Sequence, residues 1–180
     1  MVKSVQWKIA IYHLPSEPTR HRVGVWRELV KSGALSLQNG AWAIPVGTET
    51  EGLIERIRDM VGRAEGQLLV FDSEPDRTSV SELEQLYTQQ IEAAWIEFID
   101  ECGKFEREIK REFEKEKFTL AELDEEEQNL ERLRRWHRDL RYRDHFGAES
   151  ADAAGGRLDD ATADLERFAA AVYAVLQKNE

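Results

Sequence analysis

Cysteine is almost missing from this sequence: its 180 residues include one, Cys102. A single thiol cannot form an intrachain disulfide, and it excludes any metal site built from several cysteines. Helical spacing places Cys102 on an apolar face. We therefore expect a small core residue there rather than a redox-active thiol.

Long apolar runs are missing as well. No stretch reaches the roughly 18 apolar residues of a membrane-spanning helix, and the first ten residues contain no apolar signal core. Hydrophobic residues still make up 41% of the chain, which is enough for a core. These features predict a soluble, cytoplasmic protein without membrane contact.

Basic charge is scarce and unevenly distributed. The net charge is −11, from 25 Lys and Arg against 36 Asp and Glu. Residues 1–66 hold nine basic against seven acidic residues, which leaves sixteen against twenty-nine for residues 67–180. The acidic excess therefore belongs to the C-terminal part, and it argues against broad, sequence-independent nucleic-acid binding.

The chain begins with strand, helix and hairpin patterns. Residues 7–13 alternate and are rich in β-formers, which predicts a strand. A helix with Ser16 or Thr19 as its cap is expected to end at Gly33. Its expected inward stripe consists of Val23, Trp26, Leu29 and Val30. Asn39-Gly40 then predicts a two-residue type I′ hairpin turn between two strands.

A second helix and a fourth strand complete this part. Thr48 or Thr50 is the expected helix cap, and Gly66 ends the helix. The continuous apolar run of residues 67–71 predicts a strand that is buried on both faces or central in a sheet. The order βαββαβ predicts a ferredoxin-like α+β domain over residues 1–76, with four antiparallel strands and two helices on one face.

Residues 77–180 are predicted to form a three-helix antiparallel extension. The first helix, capped by Ser79 or Ser81, has a long stripe, and Thr119 with Glu122 forms a capping box for the second. Residues 148–156 are small and polar, which indicates a mobile loop, and the third helix is expected over residues 158–176. The stripe of the first helix consists of Leu83, Tyr87, Ile91, Trp95, Phe98, Cys102, Phe105, Ile109 and Phe113.

No set of residues indicates catalysis, a metal site or a cofactor. The many carboxylates of residues 92–127 alternate with Lys and Arg, which is typical of a solvated face with i,i+4 ion pairs. The four histidines are far apart in sequence and show no metal-ligand spacing. His137 lies on an apolar stripe, where a hydrogen-bonded interior histidine is the simpler interpretation. We expect a protein that is not an enzyme.

Two groups of arginines are the candidate binding residues. One lies on the first helix, and the other lies within residues 131–143, near Trp136 and Tyr142. Guanidinium groups suit phosphate and other tetrahedral oxyanions because they offer paired donors and keep their charge. The simpler alternative is that they pair with nearby carboxylates. The candidate site residues are Arg20, Arg22, Arg27, Arg134, Arg135, Arg138 and Arg141, with Lys31 beside the first group.

Two blocks of residues carry a resemblance to a known family. The first block comprises His13-Leu14-Pro15, Arg20, Arg22, Val25-Trp26-Arg27, Leu29, Gly33-Ala34 and residues 40–45 (GAWAIP). The second comprises Leu133-Arg134-Arg135-Trp136, Arg143-Asp144, Phe146-Gly147 and residues 168–173 (FAAAVY). Together they resemble the N-terminal domain of ChrB, a family of chromate-responsive transcriptional regulators in bacterial chromate resistance.

This resemblance implies a sensing or DNA-associated regulatory role. Full-length ChrB proteins carry a further C-terminal domain, which we expect to be missing from these residues. The first half is also similar to the middle domain of PaaX repressors and to small CRISPR-associated nuclease subunits. Those nucleases have an acid at the end of the first strand, where this chain has His13, so we do not expect a nuclease.

Two hypotheses follow from the sequence. The first is a non-enzymatic regulatory protein whose arginines bind chromate, another tetrahedral oxyanion or DNA phosphate. The second is a homodimeric interaction module without a ligand, because the stripe Trp95, Phe98, Phe105 and Phe113 could exceed what one partner helix covers.

Overall fold

The protein is a mixed α+β chain with a four-stranded antiparallel sheet and five helices, as seen in a computed structural model that describes residues 6–178. It divides into two compact units, Met1–Tyr87 and Thr88–Glu180, which we call the N-terminal and C-terminal units. The division lies inside helix α3 (Arg77–Glu114), whereas the sequence-based boundary at residue 76 coincides with the start of that helix.

The N-terminal unit has the predicted βαββαβ order. Both helices pack on one face of the sheet, since a core cluster joins Ala10, Trp42 and Ile44 of the sheet to both helices. The elements are β1 (Trp7–His13), α1 (Thr19–Lys31), β2 (Leu35–Gln38), β3 (Ala41–Pro45), α2 (Thr50–Arg63) and β4 (Gln67–Ser73). The sheet has the strand order β2-β3-β1-β4, and all neighbours are antiparallel.

Helix α1 buries a different face from the predicted one. Its buried residues are Val25 and Leu29, and its Gly24 lies so close to α2 that a Cβ atom would be 2.9 Å from Met60 Cε. Of the predicted inward stripe only Leu29 is buried. The other three side chains are exposed: Val23 by 37%, Trp26 by 51% and Val30 by 40%.

The prediction for β4 was wrong in its position. Within the described residues 6–178, the strand lies at an edge of the sheet and pairs with β1 alone. Leu68 and Val70 pack against the core, but Leu69 and Phe71 on the opposite face are 57% and 50% exposed. A continuous apolar run therefore does not indicate burial on both faces here.

The hairpin between β2 and β3 exists, but its turn is not type I′. That turn needs positive φ at both central residues. Gly40 has φ +79°, whereas Asn39 is not among the non-glycine residues with positive φ in residues 6–178. The ladder between β2 and β3 is also irregular between Ser36 and Gln38, as expected of a bulge.

The predicted helix caps were only partly correct. The N-cap residues are Pro18 for α1 and Glu49 for α2, and neither makes a side-chain cap hydrogen bond. Thr19 and Thr50 are the first residues inside these helices rather than their caps. Asp76, not a serine, accepts the N–H of Ser79 at 2.9 Å at the start of α3. Thr119 does cap α4 (Leu120–Arg143), where its Oγ1 accepts the N–H of Glu122 at 3.3 Å.

Three helices form the C-terminal unit. Trp95 Nε1 donates to Asp144 Oδ2 at 3.1 Å near the end of α4, so α4 runs antiparallel to α3. Helix α5 (Ala151–Lys178) runs parallel to α3, since Arg157 pairs with Glu106 at 2.7 Å and the rings of Phe168 and Phe113 lie 5.6 Å apart.

Two predictions for this unit need correction. Helix α5 begins at Ala151, so most of the predicted loop 148–156 is helical. The long stripe of α3 is buried as predicted up to Ile109, and Phe113 is 36% exposed. Trp95, Phe98 and Phe105 are covered within one chain, at 0%, 0% and 6% exposed. The stripe therefore leaves little surface for a second copy.

Candidate functional site

The arginines of α4 form the first candidate site. Arg134, Arg138 and Arg141 follow each other at i, i+4 and i+7, so one face of the helix presents all three, as predicted. Arg135 lies off this face and is exposed. The face borders the buried side of α4, because His137, between Arg134 and Arg141 in sequence, packs against Trp95 and Phe98.

Most of these arginines have no carboxylate partner. Arg138 pairs with Glu131 at 3.2 Å, as the simpler alternative predicts. Within residues 6–178, no ion pair of 4.0 Å or shorter involves Arg134, Arg135 or Arg141. In a chain with net charge −11, this face keeps positive charge available for an external anion.

The arginines of α1 form the second candidate site, in the N-terminal unit. Arg20 and Arg27 are seven residues apart and share a face, and Arg22 lies on the other side of Trp26. All three arginines are exposed, and none has a carboxylate within 4.0 Å in the described part of the chain. Glu28 on the same helix pairs instead with Arg56 of α2 at 3.2 Å.

Sequence reasoning missed the aromatic side chain at the centre of this second site. Trp26 was predicted to face inward, yet half of its surface is exposed between Val23 and Val30. A tryptophan beside arginines can stack on a base or pack on the apolar part of a ligand while the guanidinium groups bind phosphate. The spacing alone could not show this, because Val25 and Leu29 give an equally regular helical stripe.

The remaining titratable groups show no arrangement for metal binding. Between residues 6 and 178, no group of three or more His, Cys, Asp or Glu side chains could hold a metal ion. Cys102 is a core residue as predicted, and burial raises its pKa to about 11, with Glu106 adding to the effect. Its thiol is therefore protonated and unreactive near neutral pH.

His137 is an interior histidine, but it is not hydrogen-bonded at Nε2. Its ring centroid lies 5.3 Å from that of Trp95 and 5.5 Å from that of Phe98. Burial lowers its pKa, Arg141 lowers it further, and Asp159 opposes the shift. The buried Nε2 has no hydrogen-bond partner within the described structure. The His137 ring is therefore neutral near neutral pH, and the positive charge of this region comes from the arginines.

Two carboxylates are exceptions to the predicted solvated acidic face. Glu112 and Glu126 are both 3% exposed. Burial acts to raise the pKa of Glu112, but Lys115 and Lys117 outweigh it and the pKa is lowered. For Glu126 burial prevails and the pKa is raised. The hydrogen bond from Asn129 opposes the shift, and the charges of Glu108, Glu125 and Glu112 add to it.

We predict that Glu126→Gln stabilises the protein at neutral pH. A carboxyl group with a raised folded-state pKa costs stability once the pH exceeds its ordinary value of 4.5, and the full cost applies above the folded-state pKa. The gain should therefore disappear below that ordinary value. Urea unfolding at neutral pH and below pH 4.5 measures the difference in unfolding free energy between the variant and the parent protein. The control is the exposed neighbour Glu127→Gln, and an equal gain for both variants would contradict the prediction.

A groove lies between α3 and α5 in the C-terminal unit. Its volume is about 600 Å³, and Ile109 and Phe113 form its apolar side. Several of the charged side chains that line it have a partner: Arg167 is paired with Asp164, and Glu106 with Arg157. It therefore offers less free positive charge than α4 does.

One comparison with known proteins gives a match. The sequence model of the family described as Protein ChrB, N-terminal, matches residues 22–179. No curated protein and no solved structure gives a significant match. No helix within residues 6–178 is long and apolar enough to cross a membrane.

Proposed function

The chain belongs to the ChrB N-terminal family, and from that premise we propose that it is a non-enzymatic regulatory protein of chromate resistance that binds a tetrahedral oxyanion. The anion is either free, as in chromate, or the phosphate of DNA. Both sources present the same chemistry, a tetrahedral group of negatively charged oxygens that accepts paired guanidinium hydrogen bonds.

The observation that carries the proposal is the face of α4 with Arg134, Arg138 and Arg141. Two of its three guanidinium groups, those of Arg134 and Arg141, have no carboxylate within 4.0 Å in the described residues. Elsewhere in the C-terminal unit basic side chains are commonly paired, as in Arg111–Glu108 at 2.8 Å. Unpaired arginines on one face lose no internal ion pair when an anion binds.

We also propose that the N-terminal unit has a ferredoxin-like fold. The strand order β2-β3-β1-β4, with antiparallel neighbours and both helices on one face, supports a ferredoxin-like arrangement of the N-terminal unit. Its α1 arginines, with Trp26 among them, are the proposed second anion site. A cytoplasmic location fits a protein that responds to chromate inside the cell.

We expect Arg134→Ala combined with Arg141→Ala to weaken anion binding by about tenfold or more, because each lost charged hydrogen bond costs about 1.5–3 kcal/mol. Calorimetric titration with chromate and with sulfate tests the free anion. The matched control is Arg111→Ala on α3, whose guanidinium is already paired with Glu108. Equal affinity of the double variant and the parent protein would disprove the role of α4.

A gel shift with DNA from upstream of the gene tests the other source of the anion. Phosphate contacts weaken with salt, and the slope of log K against log salt should fall by about one for each phosphate contact removed. Arg20→Ala with Arg27→Ala tests α1 in the same assay. The proposal would be rejected if the parent protein bound none of chromate, sulfate and DNA.

A further inference from the structure

The two edges of the sheet in the N-terminal unit differ in how well they are protected against pairing with another strand. Edge strand β2 has four residues, and its ladder is irregular between Ser36 and Gln38. Short strands and bulges are the usual ways to block edge pairing. Edge strand β4 has seven residues and pairs with β1 in unbroken register from Gln67 to Ser73.

The sequence of β4 also lacks the residues that discourage pairing. QLLVFDS contains no proline and no lysine. Its one charged residue, Asp72, accepts a hydrogen bond from Lys8 Nζ at 2.6 Å, so its charge is compensated within the chain. Two copies of β4 can therefore approach each other without unpaired like charges, although each chain has a net charge of −11.

Exposed apolar side chains lie next to this edge. Leu69 is 57% and Phe71 50% exposed, and Ile11 of β1, directly opposite Leu69, is 43% exposed. These three side chains, and the partly buried Ile9 opposite Phe71, lie on the sheet face that does not carry α1 and α2. An apolar patch of this kind beside an open strand edge is typical of an interaction surface.

The strand is complementary to itself. In an antiparallel pair centred on Val70, Leu69 of one copy lies opposite Phe71 of the other, and the two patches join on one face. Leu68 and Val70 stay on the helix-covered face in both copies, because pairing with this register preserves the alternation of side chains. A two-fold axis through the centre would thus create one continuous eight-stranded sheet.

We propose that a second copy of this chain covers the β4 edge and forms a homodimer through antiparallel β4–β4 pairing. This interface is independent of the arginine sites. It does not use the α3 stripe from which a dimer was expected, because those side chains are buried within one chain. The seven-residue edge offers less surface than the roughly 1,600 Å² of a standard interface, so we expect a dissociation constant near micromolar.

Sedimentation over a concentration series tests the dimer. The parent chain should change from monomer to dimer near micromolar concentration, and Leu69→Lys with Phe71→Lys should weaken association at least tenfold. Leu37→Lys is the matched control, since Leu37 is 43% exposed on the other edge strand. A parent chain that stays monomeric at millimolar concentration would overturn the proposal, as would a folded double variant that associates unchanged.

Hydrogen exchange of the unmodified protein tests the geometry without any variant. In β4–β4 pairing the outward N–H groups of residues 67–73 gain hydrogen bonds, so their protection should rise with protein concentration. The β2 amides serve as the internal control and should not change. A dimer that gives no added protection in residues 67–73 associates through another surface and would refute the β4 interface.

Discussion

The Phe98→Ala protein is expected to lose about 3–5 kcal/mol of unfolding free energy in its C-terminal unit. Phe98 is fully buried on α3, and its ring contacts three others. The ring centroids of Trp136 and His137 each lie 5.5 Å away, and that of Trp95 lies 6.0 Å away. Truncation removes the central ring and leaves a cavity that rigid aromatic neighbours fill poorly.

Hydrogen exchange of residues 88–178 measures this loss without assuming that both units unfold together. Ile96→Ala provides the matched control, because it truncates an apolar side chain of the same helix that is 57% exposed. That variant should stay within about 0.5 kcal/mol of the parent protein. A Phe98 variant as stable as the Ile96 variant would contradict the aromatic core described above.

The same substitution separates folding from anion binding. Arg134 and Arg141 depend on the position of α4, and α4 is held against α3 by Trp136 and His137 around Phe98. We therefore expect Phe98→Ala to weaken anion binding at temperatures where the C-terminal unit is partly unfolded. At low temperature, where the unit stays folded, the affinity should recover.

The arginine face of α4 was predictable, but the free positive charge was not. The i, i+4 and i+7 spacing of Arg134, Arg138 and Arg141 fixes a common face once the segment is helical. Whether each guanidinium pairs with a carboxylate depends on rotamers and on neighbouring helices. The structure pairs Arg138 with Glu131 and leaves the other two without such a partner in the described residues.

Helix α1 shows why periodicity alone could not place Trp26. The helix has two apolar stripes, one through Val25 and Leu29 and one through Val23 and Trp26, and either could face the sheet. In the structure Val25 and Leu29 are buried, and Gly24 beside them faces α2, with an added Cβ 2.9 Å from the end of the Met60 side chain. An analysis of hydrophobic periodicity does not take account of a small residue that faces α2.

Local composition could not predict the position of β4 in the sheet either. The run QLLVF is as apolar as that of a central strand, and the helix-covered face does use Leu68 and Val70. The order of strands, rather than local composition, leaves β4 at the edge with Leu69 and Phe71 exposed. An apolar run at the end of a βαββαβ unit therefore fits an edge strand with one exposed face as well as it fits a buried strand.

Gly40→Ala is expected to destabilise the N-terminal unit by about 2–5 kcal/mol, the sum of backbone strain and a steric clash. Gly40 has φ +79°, which other residues adopt at a cost. A Cβ atom there would lie 2.5 Å from the carbonyl oxygen of Tyr12, which is backbone and cannot rotate away. Tyr12 N also donates to Gly40 O at 2.7 Å, so relief of the clash would break a contact between the hairpin and β1.

Two further variants separate these causes. The measurement is the unfolding free energy of the N-terminal unit, obtained from urea unfolding that is monitored by hydrogen exchange of residues 6–87. Asparagine tolerates positive φ better than alanine but carries the same Cβ atom. Gly40→Asn should therefore keep the larger part of the loss if the clash with Tyr12 dominates, and most of the stability should return if strain dominates. Gly47→Ala, at a glycine with no atom within 4 Å of the added Cβ, is the control and should change stability little. A Gly40→Ala protein within about 0.5 kcal/mol of the parent would show that the hairpin is not held against β1 in the way described.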